Sequence, residues 1–181
     1  YICQKNVALH GGQIAVHSKQ GKGSSFKFDL ALHLDQTVVV KNTVLEKWFL
    51  SGRYEPLALH QAVDTAKALW LLFRRHNIPV IRMGLQPTDS LLAPGNVVAG
   101  PFHPAFGHLV HSALFFDLAI REIERRKTVS KRIAIKVHPR DVPKLRGLKN
   151  GNITELIRRF ELKELQVEAD PTLSANALSV E

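Results

Sequence analysis

The chain has 181 residues, 45% apolar and 23% charged, and carries a net charge of +9 at neutral pH, enough length to bury a normal core in one or two small domains. Its longest apolar runs, such as Ala66 to Phe73 interrupted by Lys67, fall far short of the roughly 20 residues that span a bilayer, and no charged-then-apolar leader precedes Gly11. A lone cysteine, Cys3, excludes an internal disulfide, so a cytoplasmic protein without a membrane partner is expected.

In chain order, Ile2 to Leu9 reads as the tail of a helix with Cys3 and Val7 on one side, and Gly11-Gly12 supply its left-handed exit. Ile14 and Val16, then Phe26, Phe28, Leu30 and Leu32, alternate with polar residues on either side of Gly21-Lys22-Gly23, which predicts a β-hairpin. Val38 to Val40 is a short apolar strand. Thr43 with Glu46 three residues later forms a capping box that opens a short helix, ended by Gly52. A longer helix from His60 to His76 carries Val63, Ala66, Trp70 and Phe73 at helical spacing; Asn77 closes it, and Pro79 to Met83 is expected to be a strand.

From Gln86 to Gly107 the chain is rich in Pro and Gly, the composition of a long functional or well-packed loop. Pro104 suits a first helical turn, and the helix beyond it is expected to bury Leu109, Ala113, Phe116, Ile120 and Ile123. A strand with Ile133, Ile135 and Val137 alternating, a basic loop, a helix with Ile153, Leu156, Ile157 and Phe160, and a strand with Leu165 and Val167 complete the pattern. Asn152 with Glu155 is a second capping signal, and residues 172–181 are expected to be a frayed tail.

The positive charge is concentrated. Between Arg121 and Lys149 there are eleven Lys or Arg against Glu122, Glu124 and Asp141. Within this stretch Arg140, Lys144, Arg146 and Lys149 sit on a loop that runs into a helix N-terminus, where backbone N–H groups and guanidinium forks suit phosphate. These four are the candidate RNA- or phosphate-binding residues, against a competing reading in which Arg140 braces Asp141. His103, His108 and His111 raise a metal site, but Asp117 lies too far along the helix to complete it, and His103 is better placed to fix the loop before the helix. Glu122 and Glu124 do not share a helical face and are not an acid/base pair. No metal site and no catalytic residue is assigned.

Two resemblances follow. The run Ile2-Cys3-Gln4-Lys5-Asn6-Val7-Ala8-Leu9-His10-Gly11-Gly12-Gln13-Ile14, then Ser18-Lys19-Gln20-Gly21-Lys22-Gly23-Ser24-Ser25-Phe26, resembles the end of the ATP-binding domain of histidine kinases, over residues 1–34. The resemblance implies that Ser25 stands at an adenine-side position. The family's Asn helix, Asp-x-Gly-x-Gly loop and Gly-rich lid have no counterpart in this sequence.

From Thr37 to Pro171 the chain resembles the C-terminal part of radical S-adenosylmethionine (radical SAM) proteins related to the catalytic subunit of Elongator. The matching pieces are Val39-Val40-Lys41-Asn42-Thr43, Gly52-Arg53-Tyr54-Glu55-Pro56-Leu57, Ile81-Arg82-Met83-Gly84-Leu85-Gln86-Pro87-Thr88, the run from Gly95 to Gly107, and Pro139-Arg140-Asp141 with Arg146-Gly147 and Lys149-Asn150. Leu148 and Gly151 depart from the polar residues expected there.

This second resemblance implies an α/β fold: the closing part of a partial β/α barrel over 37–127 and a small α/β extension over 128–171, after an N-terminal helix and hairpin. It places Thr43, Gln86 and Thr88 at strand ends, on the S-adenosylmethionine or substrate side. It implies a 4Fe–4S cluster and S-adenosylmethionine, while tRNA or another RNA is the partner expected from the basic loop. With one cysteine the chain lacks the cluster ligands, so it is expected to hold no cofactor alone and to need a missing N-terminal radical SAM portion. The alternatives are an ATP-binding fragment of a sensor histidine kinase and a basic RNA-contacting module.

Overall fold

A computed structural model describes residues 37–126 and 130–181, and the backbone of 13–19 and 23–29. The helix expected over 2–9, Cys3 and the Gly11-Gly12 exit lie outside the described residues. The chain divides into two compact units, Tyr1–Asp35 and Gln36–Glu181, each described by itself. In the first, β1 (Gln13–Lys19) pairs antiparallel with β2 (Gly23–Asp29), and the register sets Ile14 opposite Phe28 and Val16 opposite Phe26. The period-two alternation therefore does report a hairpin.

The second unit is mixed α/β. It opens with β3 (Val39–Val40), and Thr43 then caps α1 (Val44–Leu50): its Oγ1 accepts the Glu46 N–H at 3.2 Å and donates to the Val40 carbonyl at 2.7 Å. The reciprocal arm of the capping box lands one residue early, with the Asn42 N–H donating to Glu46 Oε2 at 2.7 Å. Gly52 leaves the helix at φ +70°.

In α2 (Leu59–Arg75), Gln61 Oε1 accepts the Ala58 N–H, and Asn77 closes the helix in the left-handed region that Asn tolerates. Ala62 and Ala66, one turn apart, let α2 approach α4 (Phe106–Glu124), and with Phe106 and Val110 they form a small core joined by Leu59, Val63, Met83 and Leu114.

Three expectations fail in this half. Residues 79–83 form no strand. They lead into Gly84 (φ +79°), where a Cβ would come within 2.8 Å of Phe106 at the start of α4, and Ile81 is left 97% exposed. Pro104 precedes α4 instead of opening it; the Phe106 N–H bonds the His103 carbonyl, and Ala105 is the cap. On α4 Ile123 is buried as expected, but the other buried apolar residues are Phe106, Val110, Phe115 and Ala119, while Leu109, Ala113, Phe116 and Ile120 are only partly buried. Leu109, Val110, Ala113, Leu114, Phe115 and Phe116 are all apolar, so periodicity alone could not select the inward stripe. Between these helices, α3 (Asp89–Leu92) precedes β4 (Val97–Ala99), which pairs antiparallel with β3.

The larger core belongs to the C-terminal part. There β5 (Arg132–Val137) lies between β6 (Glu164–Ala169), parallel to it, and β7 (Leu178–Val180), antiparallel. Ile133, Ile135 and Val137 point one way, as the alternation predicts, into a cluster with Phe115, Ile123, Leu145, Leu156 and Val180. The links are α5 (Val142–Arg146) and α6 (Gly151–Arg159), each preceded by a short 3₁₀ turn.

The tail is not frayed. Residues 178–180 form an edge strand, with the Ala134 and Glu181 backbones bonded in both directions at 3.1 and 2.8 Å, and Val180 is buried. Nor does Asn152 cap α6. The helix starts at Gly151 behind left-handed Asn150, and Asn152 is drawn inward by two buried carbonyls. Among the described residues no helix is long and apolar enough to cross a membrane.

Candidate functional site

The hydroxyls of Thr43 and Thr88 are both spent on helix starts. Thr43 caps α1 as above, and Thr88 Oγ1 accepts the Leu91 N–H at 3.3 Å to cap α3. Gln86 is exposed, and its Oε1 accepts from Arg82 at 2.7 Å. The segments that carry them are tied together through Asn96, whose carbonyl accepts the Lys41 N–H while its amide donates to the Ser90 carbonyl and hydroxyl. The structure thus links the neighbourhoods of Thr43 and Thr88 through the backbone carbonyl and the side-chain amide of Asn96. Ser25 lies in β2 opposite His17, and its side chain lies outside the described residues.

The basic stretch changes character in three dimensions. Arg125 pairs with Glu122, Lys131 with Glu161, Arg132 with Glu164, and Lys136 with Glu168 and Glu181. Most of those acids come from later in the chain, so the linear count overstates the local charge. Single exposed pairs stabilise by only about 0–1 kcal/mol, but they do neutralise the field around them.

Lys144 is committed as well: its Nζ sits 2.7 Å from Asp141 Oδ1. The expected Arg140–Asp141 brace is therefore a Lys144–Asp141 pair, because the turn of α5 brings position 144 back over the carboxylate while Arg140 faces solvent. Arg140, Arg146 and Lys149 are left exposed on one short segment; Arg146 reaches Asn150 Oδ1 at 3.4 Å. Lys149 and Asn150 are both left-handed, which bends the chain sharply before α6.

Beneath that segment lies a buried polar network. Asp141 is fully buried, and its second oxygen accepts the Asn176 N–H at 2.7 Å. Burial pushes its carboxyl pKa up, but the Lys144 and Asn176 hydrogen bonds and the charges of Lys144 and His138 outweigh that and hold it below the usual carboxylate range. Ser112 Oγ donates to the Lys144 carbonyl at 2.9 Å, and Asn152 Nδ2 donates to the carbonyls of Ser112 and Lys144. A Cβ at Gly147, which is left-handed, would fall 2.9 Å from the Asn152 side chain. These bonds position the basic loop against α4.

The three histidines do not converge. His103 Nδ1 accepts the Ala105 N–H at 3.0 Å, a loop-fixing role, and His111 packs edge-on against Trp70 with centroids 5.6 Å apart. Among the described residues no group of three His, Cys, Asp or Glu could hold a metal.

A feature the sequence reading passed over is a cleft of about 300 Å³ between α2 and α4, where Trp70, Arg74, His111 and Arg121 meet. The Trp70/Arg74 spacing of four was its visible signal, obscured because Trp70 also fits the apolar stripe of α2.

Residues 31–115 match the family model of the Radical_SAM C-terminal domain. No curated protein matches the chain. No solved structure matches it. Such a family implies a 4Fe–4S cluster and S-adenosylmethionine. The residues present do not fit the cluster, which takes several thiolates, because the sequence contains only Cys3.

Proposed function

We propose that this chain carries the C-terminal part of a radical SAM protein of the Elongator catalytic type, and that the ligands of its cluster come from outside these 181 residues. The match over residues 31–115 supports the radical SAM C-terminal part of this reading, and the Elongator type rests on the motif resemblance alone. Residues 37–127 would then be the closing part of a barrel and 128–171 its extension, and the chain by itself would not cleave S-adenosylmethionine.

Surface chemistry supports a docking role. The large exposed apolar side chains concentrate in the matched stretch, with Trp48 at 45%, Leu50 at 72% and Ile81 at 97% exposure, and none of the residues of α1 is buried. Such side chains favour an apolar partner surface. The test mixes the chain with a reconstituted cluster-binding barrel from an Elongator-type protein. Saturable association is expected, and Trp48→Asp with Ile81→Asp should weaken it at least about tenfold, about 1.4 kcal/mol. No association, or one insensitive to both changes, overturns the docking role. A stoichiometric iron–sulfur chromophore formed by the chain alone overturns the assignment of the cluster elsewhere.

A second reading, RNA contact, draws on Arg140, Arg146 and Lys149, which share one exposed segment. Anisotropy titration of tRNA should show affinity falling with salt, each phosphate contact adding a slope of about −0.7 to −0.9. Replacing all three by Gln should flatten the slope by about two to three contacts. No binding at low salt ends this reading. The third reading, an ATP-binding kinase fragment, rests on the N-terminal hairpin and on Ser25 alone.

A further inference from the structure

The cleft between α2 and α4 combines an apolar interior with unbalanced positive charge. Trp70, Leu114, Phe115 and Leu118 supply the apolar walls. Asp117 also lines it; its carboxylate is held by Lys67 Nζ at 2.8 Å, and Lys67 also lies 3.2 Å from Asp64, so these three groups carry one net negative charge against the two arginines of the cleft. Arg74 and Arg121 remain, both exposed and with no carboxylate within ion-pair distance among the described residues. Arg74 lies over the Trp70 ring, 5.1 Å from its centroid, which fixes a cation beside an aromatic surface.

One lining ring carries an unpartnered polar atom. His111 Nδ1 is buried with no hydrogen-bond partner. Buried ring nitrogens are ordinarily bonded, so an orphan Nδ1 on a cleft-lining ring is an unmet polar group in the wall of the cleft. Burial and then the Lys144 charge push the His111 pKa down, which keeps the ring neutral and able to offer both a donor and an acceptor.

We infer that this cleft is a binding site for a small aromatic anion: a ring seated among Trp70, Leu114 and Leu118, with its carboxylate or phosphate taken by Arg74 and Arg121. About 300 Å³ is the lower end of the size of small-molecule pockets, which limits the occupant to one ring system with its anionic group. A guanidinium fork can bond two oxygens of a carboxylate or of a phosphate, and an apolar wall with a few placed polar groups is how such pockets select orientation.

The test uses the full chain with Trp48→Phe, so that Trp70 is the sole indole, and titrates phenyl phosphate, benzoate, inorganic phosphate and benzyl alcohol. Saturable quenching is expected with phenyl phosphate or benzoate, and weaker binding with the two controls that lack ring or charge. Whichever of the two binds more tightly tells whether a phosphomonoester or a carboxylic acid is the natural class.

Arg74→Gln and Arg121→Gln should each raise Kd about tenfold or more. Both side chains are exposed, so the unfolding midpoints should not move. Because Arg74→Gln also alters the indole's surroundings, saturation-transfer NMR on the probes serves as the second readout. No saturation up to on the order of 10 mM, or equal affinities for wild type and both variants, overturns the site.

Discussion

Deleting residues 174–181 is expected to destabilise the Gln36–Glu181 unit by about 3–5 kcal/mol, a large share of a small domain's stability. Two losses make up the figure. Val180 is buried against Ile135 and its neighbours, and removing an apolar side chain of that size forfeits about 1.5–3 kcal/mol. Asp141 loses the Asn176 N–H, and a buried acceptor left unsatisfied costs about 1–3 kcal/mol. The deletion also strips β7 from β5 and turns the central strand into an edge. Urea denaturation read by far-UV circular dichroism gives the answer as a fall in midpoint. Val180→Asp, which keeps the length, should reproduce at least about half of the loss. An unchanged midpoint in both proteins would mean that β7 contributes nothing.

That strand also shows where the sequence was legible and where it was not. Signals confined to a few neighbouring residues survive into the structure: the hairpin alternation, the Thr43 cap, the left-handed Asn77 and the Ile133/Ile135/Val137 stripe. What was missed depends on partners far along the chain. Leu178-Ser179-Val180 is too short and small to read as a strand, and becomes one only because β5 offers it an open edge. Residues 79–83 have strand-like composition, but among the described residues they pair with no strand and lead into Gly84, which packs against Phe106.

The candidate site divides along the same line. The positions of Arg140, Arg146 and Lys149 on one exposed segment were readable from spacing. The capture of Lys144 by Asp141 was masked by the adjacent Arg140, and the neutralisation of Lys131, Arg132 and Lys136 by acids some 30 to 45 residues later follows from strand pairing and tail return. Asn152 looked like a cap because Glu155 follows it by three. It was claimed instead by the carbonyls of Ser112 and Lys144, an interaction with no local signature.

Asp141→Ala is expected to cost about 2–4 kcal/mol, with a distinctive dependence on pH. Removing one partner of a buried ion pair ordinarily costs about 3–5 kcal/mol, and the expectation here is lower because Lys144 is 27% exposed and can turn its ammonium to water. What cannot relax is the Asn176 N–H, which is left facing an apolar methyl. Asp141→Asn keeps an acceptor for that N–H and loses only the charge, so it should fall between wild type and the alanine variant.

The pH profile then separates charge from packing. The folded carboxyl titrates below its unfolded value of about 3.9. The unfolded chain therefore takes up the proton first as pH falls. The stabilisation from ionised Asp141 is complete above about pH 5 and decays as pH drops through the unfolded and then the depressed folded pKa. Asp170 is held low in the same way, chiefly by the Thr172 hydroxyl and N–H, so wild type alone would mix the two. Comparing wild type with Asp141→Asn removes Asp170, which is common to both. The stability difference between them should be constant from about pH 5 to 7 and shrink below about pH 4. A difference that persists unchanged to about pH 2 would show that Asp141 acts there through shape and hydrogen bonding, not through its pairing with Lys144.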